Sequence, residues 1–338
     1  MRDGKDDEAR SMFAQALTLD PARTARIDEA WASGYLDHGR ALVTQGNDAD
    51  AKAAFAQAVA HDSNATKRAH EIWVSAYIDR GRSLSRDGKD ELAKTAFAQA
   101  LAREPSAARR IDETWASAYL DRGRALAGQG RDEEANAVFG QAQAHDPTAS
   151  KRINEVWVSV YVSRGKKLVE DGKDEAARAV FAQALAREPA AAERIDQAWA
   201  RGYNERAWKQ FLAGKSADGL GEAEKAVALA PKDANILDTR GQIYLELNRI
   251  DEALADLDMA IKIAAGLSNS AGTYYGRGRC YEIKANTALA IADYNKALEV
   301  LKNTADPNEY LISVRAKVEE RHSVLTGVPV LTAAADKR

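Results

Sequence analysis

The chain has 338 residues, of which 45% are hydrophobic and 29% charged, with a net charge of −3. This mixed, near-neutral balance exerts no global pull toward nucleic acid or acidic membranes. The lone Cys280 excludes an intrachain disulfide, and no run of about 18 apolar residues offers a transmembrane helix. The N-terminus, Met1-Arg-Asp-Gly-Lys-Asp-Asp-Glu, lacks the apolar core of a signal peptide. A cytoplasmic location is the expectation.

The first motif, Arg2-Asp-Gly-Lys-Asp, returns at Arg86, where it lies in the middle of a repeat. The chain is therefore expected to be a fragment of a longer protein that begins in the second half of a repeat, or to carry an added Met1; a missing N-terminal domain could hold the activity. Beyond it, Trp31, Trp73, Trp115, Trp157 and Trp199 follow one another every 42 residues. Phe13, Phe55, Phe97, Phe139 and Phe181 keep the same step, as do Tyr35, Tyr77, Tyr119, Tyr161 and Tyr203, and the glycines from Gly4 to Gly214. A fixed period in this range marks a solenoid, in which each repeat touches only its neighbours.

Each unit reads as two helices. Asp87-Gly88-Lys89 is a helix stop, and Asp90 suits an N-cap. The helix that follows puts Ala93, Phe97, Ala100 and Leu101 on one face, and Glu104-Pro105 ends it. The next helix is predicted from about Ser106 to Gly128, with Ile111, Trp115, Tyr119 and Leu126 in one stripe. Gly123 inside it recurs as Gly39, Gly81 and Gly165, with Ala207 in the next unit. A glycine costs a helix about 1 kcal/mol relative to Ala, so it implies close approach of the partner helix. A second order overlies the first. Ala60-His-Asp-Ser resembles Ala144-His-Asp-Pro, while the units between them read Ala-Arg-Glu-Pro. The duplicated block spans two units, through recent duplication or two faces that alternate for a partner.

After Arg206 the step from Ala207 to Gly241 shortens to 34 residues. The glycines around Gly219 predict a weakened helix and a bend. The expected organisation is 42-residue units over 1–206, ordinary units over 207–305, a capping helix over 306–326 and a loose tail over 327–338. The capping helix has Tyr310, Leu311, Val314, Val318 and Leu325 on one face.

The register Gly81, Leu84, Ala93, Phe97, Ala100, Pro105 resembles the tetratricopeptide repeat, as does Gly241, Tyr244, Ala253, Leu257, Ala260. That family's repeat is 34 residues. The long units carry eight more, two turns at the front of the first helix. The resemblance implies an all-α, right-handed superhelix of about sixteen antiparallel helices, and a scaffold that binds a protein or peptide in a concave groove. By register that groove is lined by Ser33, Leu36 and Arg40, then Ser75, Ile78 and Arg82, then Ser117, Leu120 and Arg124, then Ser159, Val162 and Lys166. Asn204, Trp208 and Phe211 continue it. The basic rungs imply an acidic partner. The same positions also read as solvated residues copied by duplication. A regulatory or sensor array of a larger bacterial protein is the form expected. Self-assembly into a homo-oligomer and, less favoured, nucleic-acid binding by the basic rungs are the alternatives. The arginines before the motif glycine (Arg80, Arg122, Arg164, Arg206, Arg240, Arg277) are expected to pair with an acid on a neighbouring helix. Trp208 is either an interface anchor or packing at the junction. A family clamp for C-terminal carboxylates would fall on Asn204, Trp208 and Thr239, of which only the asparagine fits.

Catalytic motifs are missing from the sequence. The five histidines show no metal spacing, and Gly276-Arg-Gly-Arg lacks the third glycine of a dinucleotide loop. No enzyme activity, metal or cofactor is expected.

Overall fold

The computed structural model describes residues 6–20, 24–264 and 271–327. Among them are sixteen α-helices and no strand. After α1 (Asp6–Leu19) come five pairs with a long first member. These are α2 (Thr24–Gln45) and α3 (Asp48–His61), α4 (Ala65–Arg86) and α5 (Asp90–Arg103), and α6 (Ala108–Gly128) and α7 (Asp132–His145). Then come α8 (Ser150–Glu170) and α9 (Asp174–Arg187), and α10 (Ala192–Leu212) and α11 (Ser216–Leu229). Two shorter pairs follow, α12 (Ala234–Glu246) with α13 (Ile250–Ile263) and α14 (Ala271–Ile283) with α15 (Thr287–Lys302), and α16 (Glu309–Thr326) closes the series. The long first helices have 21 or 22 residues, whereas α12 and α14 have 13. The extra length is about two turns, as the repeat length implies. The expected loose tail, Gly327 apart, lies outside the described residues. The chain forms two compact units, one ending at Val160 and the other beginning at Tyr161.

In the first unit each pair is an αα-hairpin, and α2, α4 and α6 pack side by side. The motif glycines explain the hairpins. A Cβ on Gly39, Gly81 or Gly123 would sit 2.8, 2.6 or 2.3 Å from the ring of Phe55, Phe97 or Phe139, sixteen residues later. The bare backbone thus lets a buried phenylalanine ring seat against the first helix. Gly46, Gly88 and Gly130 close those helices with φ near +80°, at +92°, +77° and +82°, a conformation that favours glycine. At Gly88 a side chain would also meet the Arg122 guanidinium, 3.2 Å away.

That arginine corrects the reading of Asp90 as an N-cap. Lys89 occupies the cap, and Asp90 is the first helical residue. Its carboxylate accepts from Arg122 Nη1 at 3.1 and 3.3 Å. Arg80 reaches Asp48 in the same way at 3.3 Å. The acid still complements the helix dipole from the first turn, while charge-assisted bonds stitch each hairpin to the next.

The two-unit alternation has an internal cause. His61 stacks on Trp31 and Tyr35, and His145 on Trp115 and Tyr119. Each histidine faces an aspartate, Asp28 at 3.6 Å and Asp112 at 3.2 Å. In the hairpin between them Arg103 lies over Trp73 and Tyr77 instead, and His70 stands where the others have the aspartate. The ring cover and its partner change together, so the alternation needs no partner to explain it.

In the second unit the same glycine register holds. Gly165 faces Phe181, Gly241 faces Leu257 and Gly278 faces Tyr294, at 2.3, 2.8 and 2.7 Å from the Cβ position. Ala207 replaces the glycine where the residue sixteen later is only Ala223, and both are fully buried. The helix α11 runs unbroken from 216 to 229, against the expected weakening. Its Gly219 is a contact residue, since a Cβ there would lie 3.0 Å from the Ala207 carbonyl oxygen. Val314 and Val318 of α16 are buried as its apolar stripe predicts, but Ile312 and Val324, outside that stripe, are exposed.

Candidate functional site

The register-derived groove residues divide into three groups. Ser33, Ser75 and Ser117 are half-buried on α2, α4 and α6. The aliphatic residues beside them do not line an open surface. Leu36, Ile78 and Leu120 are 1%, 6% and 6% exposed, because adjacent first helices pack directly on one another and enclose them. The arginines are the outward group.

Their charge is largely met from within. Arg40 Nη2 donates to Asp79 at 2.9 Å. Arg82 and Arg86 both approach Asp121, at 3.7 Å. Arg124 is exposed and has no ion-pair partner among the described residues. The acid's register position there is taken by Ser163. The reading of the rungs as a plain basic ladder missed Asp37, Asp79 and Asp121, although they keep the 42-residue step. A cleft of about 400 Å³ opens beside Asp37, Arg40, Ala41, Thr44 and Gln45. Ser159 is exposed at the end of the first unit. In the second unit Val162 and Lys166 are half-buried, and Lys166 pairs within its own helix with Glu170 at 3.0 Å.

Also in the second unit, Asn204, Trp208 and Phe211 are half-buried on α10. Trp208 stacks on Phe211 at 5.0 Å and meets Tyr310 of α16 edge-on at 4.9 Å. A cavity of about 310 Å³ adjoins them, lined by Phe211, Leu245, Tyr275, Ile283, Tyr310 and Lys317 among others. Nearby, Gln242 Nε2 donates to the Gly272 carbonyl at 2.9 Å and to Asp238 Oδ1 at 3.2 Å. Burial raises the Asp238 carboxyl to about 6 against the hydrogen bonds from Gln242 and Thr273 that lower it. Sequence reasoning missed this cluster, although Gly272 and Gly276, two glycines outside the repeat register, signal close contacts.

The arginines before the motif glycine do pair with acids. Arg206 reaches Asp174 at 2.9 Å and Glu222 at 2.8 Å, Arg240 reaches Asp256 at 2.7 Å, and Arg277 reaches Asp293 at 2.6 Å. Cys280 is fully buried, and burial pushes its thiol up to about 12. Among the described residues no cluster of three His, Cys, Asp or Glu side chains could hold a metal, and no helix is long and apolar enough to cross a membrane.

Residues 234–266 and 271–300 match the family profile for the tetratricopeptide repeat. Human tetratricopeptide repeat protein 13 is 35% identical over 82 residues, which are 24% of this chain and 9% of that protein. Among solved structures the chain is similar to YrrB, described as a TPR protein with an unusual peptide-binding site, at 18% identity and a TM-score of 0.30. That likeness covers 66% of this chain and 98% of YrrB. The TPR domain of P58(IPK) shares 16% identity over 94% of this chain and 93% of its own, with a TM-score of 0.34. Yeast Tom70 shares 15% over 94% of this chain and 58% of its own, also at 0.34. Likenesses this loose carry no weight for the site, and the assignment rests on the two matched segments. Residues 234–266 and 271–300 of this chain are thus tetratricopeptide repeats by their match to the family profile.

Proposed function

We propose that the chain is a protein-interaction scaffold whose long hairpins hold an extended acidic segment of a partner across α2, α4 and α6. The observation that carries this reading is the uneven charge of that face. Arg40 and Arg82 each have an acid on the first helix of the next hairpin, at 2.9 and 3.7 Å, while exposed Arg124 has none among the described residues. A partner carboxylate there gains a charge-assisted bond without breaking an internal one. The half-exposed serines beside the arginines offer hydrogen bonds to a peptide backbone. The neutralised rungs weigh against a phosphate-dominated mode, which needs many free cations. In a larger protein such a face would serve a regulatory or sensor role.

The test is selection of displayed random peptides on the full chain, followed by titration of the enriched peptides. Acidic sequences are expected, with affinity reduced about tenfold by Arg124→Glu and less by Arg40→Glu. Affinity unchanged in Arg82→Glu/Arg124→Glu would discard the face. Concentration-dependent light scattering without any peptide would favour self-assembly instead.

A further inference from the structure

The helix α16 has two halves with different attachments. Its later half is fixed on the preceding hairpin. Val318 is fully buried and Arg321 pairs with Glu282, while Arg315, in the second turn, donates through Nη2 to the Leu301 carbonyl at 2.6 Å, a bond that displacement of the first two turns would break. A cap over α14 and α15 needs no more than this. The first turn packs on the same hairpin through Tyr310 and Leu311 but also reaches beyond it. Tyr310 passes α14 and meets Trp208 of α10 at 4.9 Å.

The chain has made room for that ring. A Cβ on Gly272 would lie 2.7 Å from the Tyr310 hydroxyl. The hairpin glycine of this helix is Gly278, so the missing side chain at 272 serves Tyr310. Gly276 in turn makes room for Gln242, whose amide would be 2.6 Å from a Cβ there and which holds the Gly272 carbonyl at 2.9 Å. Trp208, Gly272 and Gln242 therefore form a slot for one aromatic ring. The 310 Å³ cavity beside it is open, with Ile283 at its edge 47% exposed. Lys317, also at the edge, is exposed and unpaired among the described residues.

We propose that this slot is a recognition site for an aromatic side chain in the first turn of a partner protein's amphipathic helix, and that Tyr310 fills it in the isolated chain. The occupant already seated there defines the ligand. It is a helix, N-capped by Asn308 whose side chain accepts from Leu311 N at 3.0 Å. It presents an aromatic residue and, one turn later, the buried aliphatic Val314. Such anchors at i and i+4 are how a helix is read in a groove. Partner binding replaces the first two turns of α16 and leaves Val318 and Arg321 in place. The site is separate from the α2, α4 and α6 face, so either can fail alone.

The experiment uses the full chain and a labelled synthetic peptide copying residues 307–326. A tethered segment competes at an effective concentration on the order of millimolar. Wild type is therefore expected to bind the peptide at least tenfold more weakly than Tyr310→Ala. A peptide with Ala in place of its tyrosine should bind neither, and Gly272→Leu added to Tyr310→Ala should abolish binding. Equal binding by wild type and Tyr310→Ala, no binding by a folded Tyr310→Ala, or binding that survives Gly272→Leu overturns the proposal. If Tyr310→Ala does not fold, amide exchange of wild type decides. Residues 309–316 should exchange faster when the peptide is added in excess, and unchanged exchange overturns the slot.

Discussion

In the long hairpins of the first unit a glycine faces a phenylalanine sixteen residues on; in the short hairpins of the second a glycine at the same register faces Leu257 or Tyr294. The neighbouring arginine behaves differently in the two regions. Arg80 and Arg122 reach back to Asp48 and Asp90, the first residues of the preceding hairpin's second helix. Arg240 and Arg277 reach forward into their own hairpin, to Asp256 and Asp293, which are 6% and 4% exposed, and Arg277 also reaches back to Asp258 of α13 at 2.9 Å. Sixteen residues after Arg80 and Arg122 stand Ala96 and Val138, which offer no acid. Arg206, at the change of repeat length, does both, with Asp174 behind it and Glu222 ahead. The guanidinium thus couples neighbours in the first region, whereas in the second it always holds its own hairpin and, at Arg277, the preceding one as well. The long units add a second coupling through the tryptophans on their extra turns.

The largest way to break that contrast is Trp157→Ala. The side chain is fully buried and packs edge-on against Phe139 at 5.2 Å. Truncating a buried tryptophan costs about 3–5 kcal/mol. Solenoid stability is close to a sum of local and nearest-neighbour terms. Amide exchange should therefore accelerate in the hairpins beside residue 157 and stay unchanged across α12 to α15. Equal loss of protection in α12 to α15 would show that the tryptophan layer does not act locally.

Gly123→Ala is a smaller perturbation of the contact both regions share. Overpacking costs about 1–3 kcal/mol, and replacing a helical glycine returns up to about 1. The net expectation is a loss of about 1–2 kcal/mol in urea unfolding, because the new methyl would lie 2.3 Å from a buried ring. Gly241→Ala meets Leu257 Cγ at 2.8 Å, and a leucine can change rotamer, so its loss should be under about 1 kcal/mol. Phe139→Leu added to Gly123→Ala should recover part of the loss.

Asp238 gives the second unit a pH dependence. Its carboxyl is raised to about 6 from an ordinary value near 3.9. The folded state therefore favours the protonated form. The resulting stability is complete below about pH 4 and is lost as pH rises through about 6. Asp238→Asn should add about 1–2 kcal/mol above pH 6, discounted for the side chain's partial contact with water, and nothing below pH 4. A melting-temperature difference that does not vary with pH would assign the change to hydrogen bonding alone.

The repeat, both helices of each unit and the glycine contacts were legible because duplication wrote them at a fixed step. Gly81, Phe97 and Trp115 announce their partners by spacing alone. Asp90 was misread since an acid after a helix stop suits a cap, and nothing local shows that Arg122 will arrive from the next hairpin. Leu36, Ile78 and Leu120 were misplaced for a related reason. Register gives the face of a helix, whereas the distance between adjacent first helices decides whether that face is open. The Tyr310 slot lay furthest from reach, since its parts come from α10, α12, α14 and α16 and none of them repeats.

The smallest expected effect concerns the turn inside each hairpin. Gly46, Gly88, Gly130, Gly172 and Gly214 take positive φ there, while the short hairpins place Asn248 at φ +59° and Ala285 at φ +58°. Asparagine tolerates the left-handed region, but alanine is strained there by about 1–2 kcal/mol. Glycine removes that strain and gives back part of it through a freer unfolded chain. Ala285→Gly should therefore stabilise the α14 and α15 hairpin by about 0.5–1 kcal/mol, read as a higher urea midpoint at unchanged slope. The reverse change, Gly88→Ala, should cost more than the strain alone, because the methyl would also press on Arg122, 3.2 Å away. If Ala285→Gly lowers the midpoint, the turn is not strained, and Gly46 and Gly88 are there for Arg80 and Arg122 rather than for the backbone.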